Sequence, residues 1–149
     1  MTATSTSTST STSTINVDRL RQVALAIENE PHLFMSGGVE GYNYPTGVCG
    51  WTKRLFISRK DLGGPPFPMV DSRVLCEKAL GLSLDQSVRL FAMYWPQAWF
   101  VAVGAWEDPR IRDPNRDHSQ DEDGYKSRSP TAEEAILILR GIANGVIIL

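Results

Sequence analysis

With 149 residues, 42% hydrophobic and 21% charged, the chain holds enough apolar matter for one domain with its own core, without disulfides or metal. A formal net charge of −2 gives no drive for non-specific nucleic-acid binding, which requires a basic surface. Two cysteines, Cys49 and Cys76, cannot build a disulfide scaffold, and no apolar run approaches the ~20 residues of a membrane-spanning helix. The start of the chain has neither the basic residues nor the apolar core of a signal peptide, so a soluble, cytoplasmic protein without a membrane partner is expected.

Residues 1–14, MTATSTSTSTSTST, contain nothing able to anchor a core. Ordering them loses backbone entropy with no burial to offset it, so a disordered Ser/Thr-rich tail is expected ahead of a single globular domain, 15–149. That domain opens with a helix. Asn16 can cap it, Asp18 sits at the positive end of the dipole, and Val17, Leu20, Val23, Ala24 and Ile27 line one side up to Pro31. Residues 32–35 read as a short strand or buried turn, and the Gly-rich run 36–47 as a loop. In 49–58, CGWTKRLFIS, Trp51, Leu55 and Ser58 share a helical face, yet periodicity leaves short helix and strand open. DLGGPPFP (61–68) is a second loop. Asp71 or Ser72 then starts a helix carrying Val74, Leu75, Lys78 and Ala79, with Gly81 placed as its left-handed C-cap.

The stretch 79–96, ALGLSLDQSVRLFAMYWP, gathers the most signals. Leu84, Val88, Phe91 and Trp95 fall on one helical face, Ser83 and Gln86 fit a capping box, and Pro96 stops the pattern. A helix over 83–95 with that face buried is therefore expected at the centre of the fold. After it, WFVAVGAW (99–106) is apolar on both sides and leaves strand and helix equally open, while 107–128 reads as a charged loop. The final helix starts at Ser129 with Pro130 at N1, or at Thr131 with Glu134 in a capping box. Ala135, Ile136, Leu139, Ile142 and Ala143 make its main face, Leu137 and Ile138 widen the buried arc, and Gly145 caps it. The tail 146–149 then tucks in or pairs as a strand. The expected architecture is mainly α, with about four or five helices and room for a small α+β sheet built from 32–35, 99–103 and 146–149.

Few residues carry chemistry. Cys49, ahead of Gly50 near a helix start, is the candidate nucleophile, because a thiol there can be activated. It needs a base, and neither histidine, His32 or His118, is fixed near it in sequence. Oxygens alternate through DPNRDHSQDEDG (113–124) as in a calcium loop. His118 nevertheless stands where the turn needs glycine, and Gly124 where a bidentate glutamate belongs. Zinc spacings of the CxxC or HxxxH kind are missing, so no metal or cofactor is expected. Glycine-rich phosphate loops, HExxH and GxSxG are missing too.

Lys53, Arg54, Arg59 and Lys60, near Trp51 and Phe56, are the candidate phosphate contacts for weak single-stranded nucleic-acid binding. In the helix pair over 72–95, the second helix offers Arg89 alone as a strong base reader, too little for a sequence-specific DNA reader. Trp95 and Trp99 flank Pro96. Trp99 and Trp106, with Lys53 and Arg54, form the candidate protein-binding surface, while Trp95 is expected in the core. The leading reading is a non-enzymatic module that binds a protein partner. An enzyme or small-ligand binder using Cys49 in a pocket is the alternative, and nucleic-acid binding the third.

The order of motifs adds a resemblance. An opening amphipathic helix leads to Pro31, Phe34 and Met35, a Gly-rich loop, then Cys49 and Gly50. Gly81-Leu82, Gln86, Leu90-Phe91, Trp95-Pro96 and a Pro130-Thr131 helix start follow. This order resembles a family of small bacterial and phage proteins that read CGTxxCxAGW, then GLxxxQxxxLF…WP, then TPxxA. The resemblance implies the fold order and an accessory protein of a phage or mobile element acting on a host or phage protein. It carries no activity. Here Trp51, Thr52, Lys53 and Arg54 follow Gly50, so the family's second cysteine and its AGW are missing.

Overall fold

The computed structural model describes residues 14–35, 47–58, 60–61, 63, 72–107 and 127–149. The expected tail up to residue 13, the loop over 36–46, most of 61–68 and the stretch 108–126 lie outside them. Six α-helices and one two-stranded antiparallel sheet are found among the described residues, in agreement with a mainly helical, small α or α+β domain.

Helix α1, Val17–Asn29, starts where the Asn16 side chain accepts the Arg19 N–H at 3.1 Å, satisfying a donor the helix itself leaves unpaired. Leu20, Val23, Ala24 and Ile27 are buried along one stripe. Pro31 then opens a 3-10 turn, Pro31–Leu33, so 32–35 is a turn and not a strand: Leu33 and Phe34 pack half-buried against the core, while His32 and Met35 are exposed. Helix α2, Val48–Phe56, settles the open choice over 49–58. Its first turn packs inward through Val48, Cys49 and Trp51, which leaves Leu55 and Ser58 in water instead of on a shared buried face.

Helix α3, Ser72–Leu80, ends at Gly81, whose φ of +68° is the left-handed cap that the sequence suggests. The Gly81 N–H reaches Lys78 O at 3.1 Å and the Leu82 N–H reaches Glu77 O at 2.9 Å, so orphan carbonyls of the last turn are met. The Asn16 N–H donates to Leu80 O at 2.8 Å, pinning the start of α1 to this corner.

The expected central helix is the largest correction. Helix α4 covers only Leu84–Leu90, and Trp95 belongs to a short strand β1, Trp95–Pro96. A proline disfavours the helical region in the residue before it, so Trp95 is driven extended and the helix cannot run on to meet it. The buried face differs as well: Ser87 and Leu90 point inward, while Leu84 and Val88 are 58% and 57% exposed. The cause is tertiary. The Ser87 hydroxyl donates to Glu77 Oε2 at 2.8 Å, which turns that side of α4 toward α3.

The centre instead belongs to α1 and the last helix, α6, Ala132–Ala143, the two longest helices, packed on each other. Ala135, Ile138, Leu139 and Ile142 of α6 join the α1 stripe in the main core. Arg140 bridges Glu28 at 3.1 Å, and Arg21 donates to Asn144 Oδ1 at 2.9 Å, across the same pair. Helix α5, Gln97–Ala102, closes the core with Trp99 and Phe100, so 99–101 is helical and not strand. The sheet pairs β1 with β2, Ser127–Arg128, in the register Trp95 to Arg128 and Pro96 to Ser127. It therefore uses none of the three expected segments. The tail 146–149 tucks in through Ile147 and Leu149.

Of the two possible starts for α6, Thr131 is the cap. Its hydroxyl accepts the Glu134 N–H at 3.3 Å, and Glu134 Oε1 accepts the Thr131 N–H at 2.9 Å. Thr131→Ala is expected to lower stability by about 1 kcal/mol, seen as a lower urea midpoint at unchanged slope.

Candidate functional site

The sequence-predicted site residues do not converge. Cys49 lies in the first turn of α2 at 4% exposure, packed with Ile57 and Cys76, whereas His32 stands in water on the 3-10 turn. Trp99 fills the core and meets Trp95 edge to face, with ring centroids 5.4 Å apart, so it is no surface anchor. Trp106 is half-buried against Phe100 at 5.8 Å. Lys53 is half-buried. Arg54 is exposed, stacked over Trp51 at 5.4 Å and bonded to Glu30 at 3.4 Å, so its charge is already answered. Lys60 is exposed; Arg59, His118 and the Asp-rich run 113–124 lie outside the described residues. Among the described residues no group of three metal-ligating side chains forms, and no helix is long and apolar enough to cross a membrane.

What the structure does assemble is built on β2 and α6. Arg128 is 3% exposed, and every one of its five N–H donors has a partner. Nη1 and Nη2 grip the Glu134 carboxylate at 2.8 and 2.6 Å, the paired geometry natural to guanidinium and carboxylate. The remaining bonds go to main-chain carbonyls: Nε to Glu107 at 3.1 Å, Nη1 to Ser129 at 3.2 Å and Nη2 to Ala105 at 2.9 Å. The guanidinium lies over the rings of Phe100 at 4.0 Å and Trp106 at 5.6 Å. Such an arginine is a clasp and has no donor left for a ligand. It joins the end of α5, the β2 strand and the start of α6.

Beside this clasp an open groove of about 730 Å³ runs along the outer side of α6. Ala105, Ala132, Ile136 and Leu137 supply its apolar surface. Leu137 is 46% exposed, so the wide buried arc expected for α6 stops short of it. Glu133 and the Glu28–Arg140 ion pair line the same groove. No histidine, cysteine, serine or lysine is among its lining residues, and the Thr131 hydroxyl there is engaged in the cap.

Sequence reasoning reaches the Thr131–Glu134 box but not Arg128, which reads as the last charge of a solvated loop. One signal points to the groove, an apolar Leu137 between Glu133 and Arg140 on a single helical stripe. Compared with known proteins, the chain matches no family model, no curated protein and no solved structure.

Proposed function

We propose that the protein is a non-enzymatic protein-binding module that receives a segment of a partner in the groove along α6. In this reading it serves a phage or mobile element as an accessory acting on a host or phage protein. The supporting observation is the composition of the groove: an exposed leucine and apolar neighbours, framed by charges, with the makings of adhesion. Its volume suits a few side chains of a partner. The buried Cys49 and the dispersed basic residues favour this reading over catalysis or phosphate binding.

The test sets this groove against another exposed apolar face, that of α4. The purified protein is immobilised, exposed to bacterial lysate, and retained proteins are quantified by mass spectrometry. Leu137→Asp is expected to reduce retention of a specific partner at least tenfold. Val88→Asp should retain it as the unaltered chain does. Both side chains are exposed, so neither change should move stability by more than about 0.5 kcal/mol. A partner lost by Val88→Asp and kept by Leu137→Asp overturns the groove, and the lack of any specific partner overturns the function.

A further inference from the structure

Helices α2 and α3 meet in a small apolar cluster of their own, apart from the main core. Cys49, Ile57 and Cys76 form it, and Phe56, Leu75, Ala79 and Phe91 pack around it. The two cysteines are the chain's entire thiol content, and no disulfide joins them. They nevertheless touch: the Cys76 thiol donates to the Cys49 main-chain carbonyl, with sulfur and oxygen 3.4 Å apart. A carbonyl oxygen lies about 2.4 Å from its own Cα, so the Cys76 sulfur is within about 5.8 Å of the Cys49 Cα. A sulfur stands about 2.8 Å from its own Cα, so the two Cα atoms are at most about 8.6 Å apart, and a disulfide closes where α2 and α3 bring them to about 4.4–6.8 Å. Ala79, a small side chain, packs beside the pair and leaves the two helix backbones room to draw together there.

We infer that Cys49 and Cys76 are a redox pair, which a peroxide converts into an intramolecular disulfide stapling α2 to α3. Cys49 reacts first, being 4% exposed against 0% for Cys76, and a peroxide is small enough to enter where larger oxidants are not. Its sulfur attacks the O–O bond, taking one oxygen as the sulfenic acid while the other leaves as water. The Cys76 sulfur then displaces that hydroxyl, forming the S–S bond and releasing a second water. Two thiols thus give up two electrons and two protons, and one hydrogen peroxide becomes two waters. A dithiol reverses the change.

The experiment uses the whole chain under native conditions with a small excess of hydrogen peroxide. It is followed by alkylation in denaturant and intact-mass measurement. The expected product is monomeric, about 2 Da lighter and closed to alkylation; its Cys49 and Cys76 peptides are joined, and dithiothreitol restores the starting mass. Oxidation should also raise Tm, since the link shortens the unfolded chain's free path between two distant positions. In Cys76→Ser no such product can form, and Cys49 should instead be trapped by dimedone as the sulfenic acid. Should that variant fail to fold, Cys76→Ala serves the same purpose. The inference is overturned if the unaltered chain keeps both thiols or joins two copies. Oxidation of Cys49 to the sulfinic acid with Cys76 untouched also overturns it.

Discussion

Arg128→Met is expected to destabilise the protein by about 3–5 kcal/mol, measured by urea or thermal unfolding. The reason is what the substitution leaves behind. Glu134 is 8% exposed, and its carboxylate would lose both guanidinium bonds while still held away from water. The carbonyls of Ala105, Glu107 and Ser129 would lose a donor in the same step, and the rings of Phe100 and Trp106 a cation. Removing both charges tests the account. Arg128→Met combined with Glu134→Leu should recover much of the loss, because an apolar pair of similar volume can replace a buried ion pair. Recovery should fall short by about 1 kcal/mol, the share of the cap that Glu134 makes to the Thr131 N–H. A single-variant loss below about 1 kcal/mol would show that the guanidinium is no clasp.

The second large effect is expected at Gly81. A Cβ there would run into the Thr14 carbonyl oxygen and sit 3.3 Å from the Asn16 nitrogen. These are main-chain atoms, so no rotamer change can relieve the contact. Residues 14–16 would have to move, breaking the Asn16 N–H bond to Leu80 and disturbing the cap on Arg19. An L-residue at φ +68° adds its own strain of about 1–2 kcal/mol. Gly81→Ala should therefore lose about 2–4 kcal/mol in all. The molecule supplies its own control. Gly104 and Gly145 have φ of +71° and +78°, and an added methyl would meet nothing within 4 Å, so alanine there should lose only the backbone strain, about 1–2 kcal/mol. Equal losses at all three positions would show that the contact with Thr14 is immaterial.

The parts of the fold that can be read from the sequence are those decided within a few residues. Asn16, Ser83 with Gln86, and Thr131 with Glu134 each satisfy donors in their own first turn, and Gly81 closes its own helix. The orientation of α4 is another matter. Its Leu84–Val88 face is as regular as its Ser87–Leu90 face, and the choice falls to a carboxylate on α3, ten residues away. Pattern alone favours the greasier side, and that side is the exposed one. Likewise Trp99 looks available beside a proline until α5 turns it into the core. For the candidate site, Lys53 and Arg54 are visible as charges, but the Glu30 partner of Arg54 comes from another segment. Arg128 is hidden because burying an arginine takes carbonyls gathered from 105 and 107, which only the folded chain brings to it.

The clasp has one more effect. By holding the carbonyls of residues 105 and 107 from its own place at 128, Arg128 ties position 107 to position 127. With those two positions fastened, the entropy of closing the chain between them grows slowly with its length, about 0.6 kcal/mol for each doubling. On the side of closure entropy, evolution is thus free to vary the spacing between positions 107 and 127, because the clasp and not the spacing holds β2 beside α5 and α6.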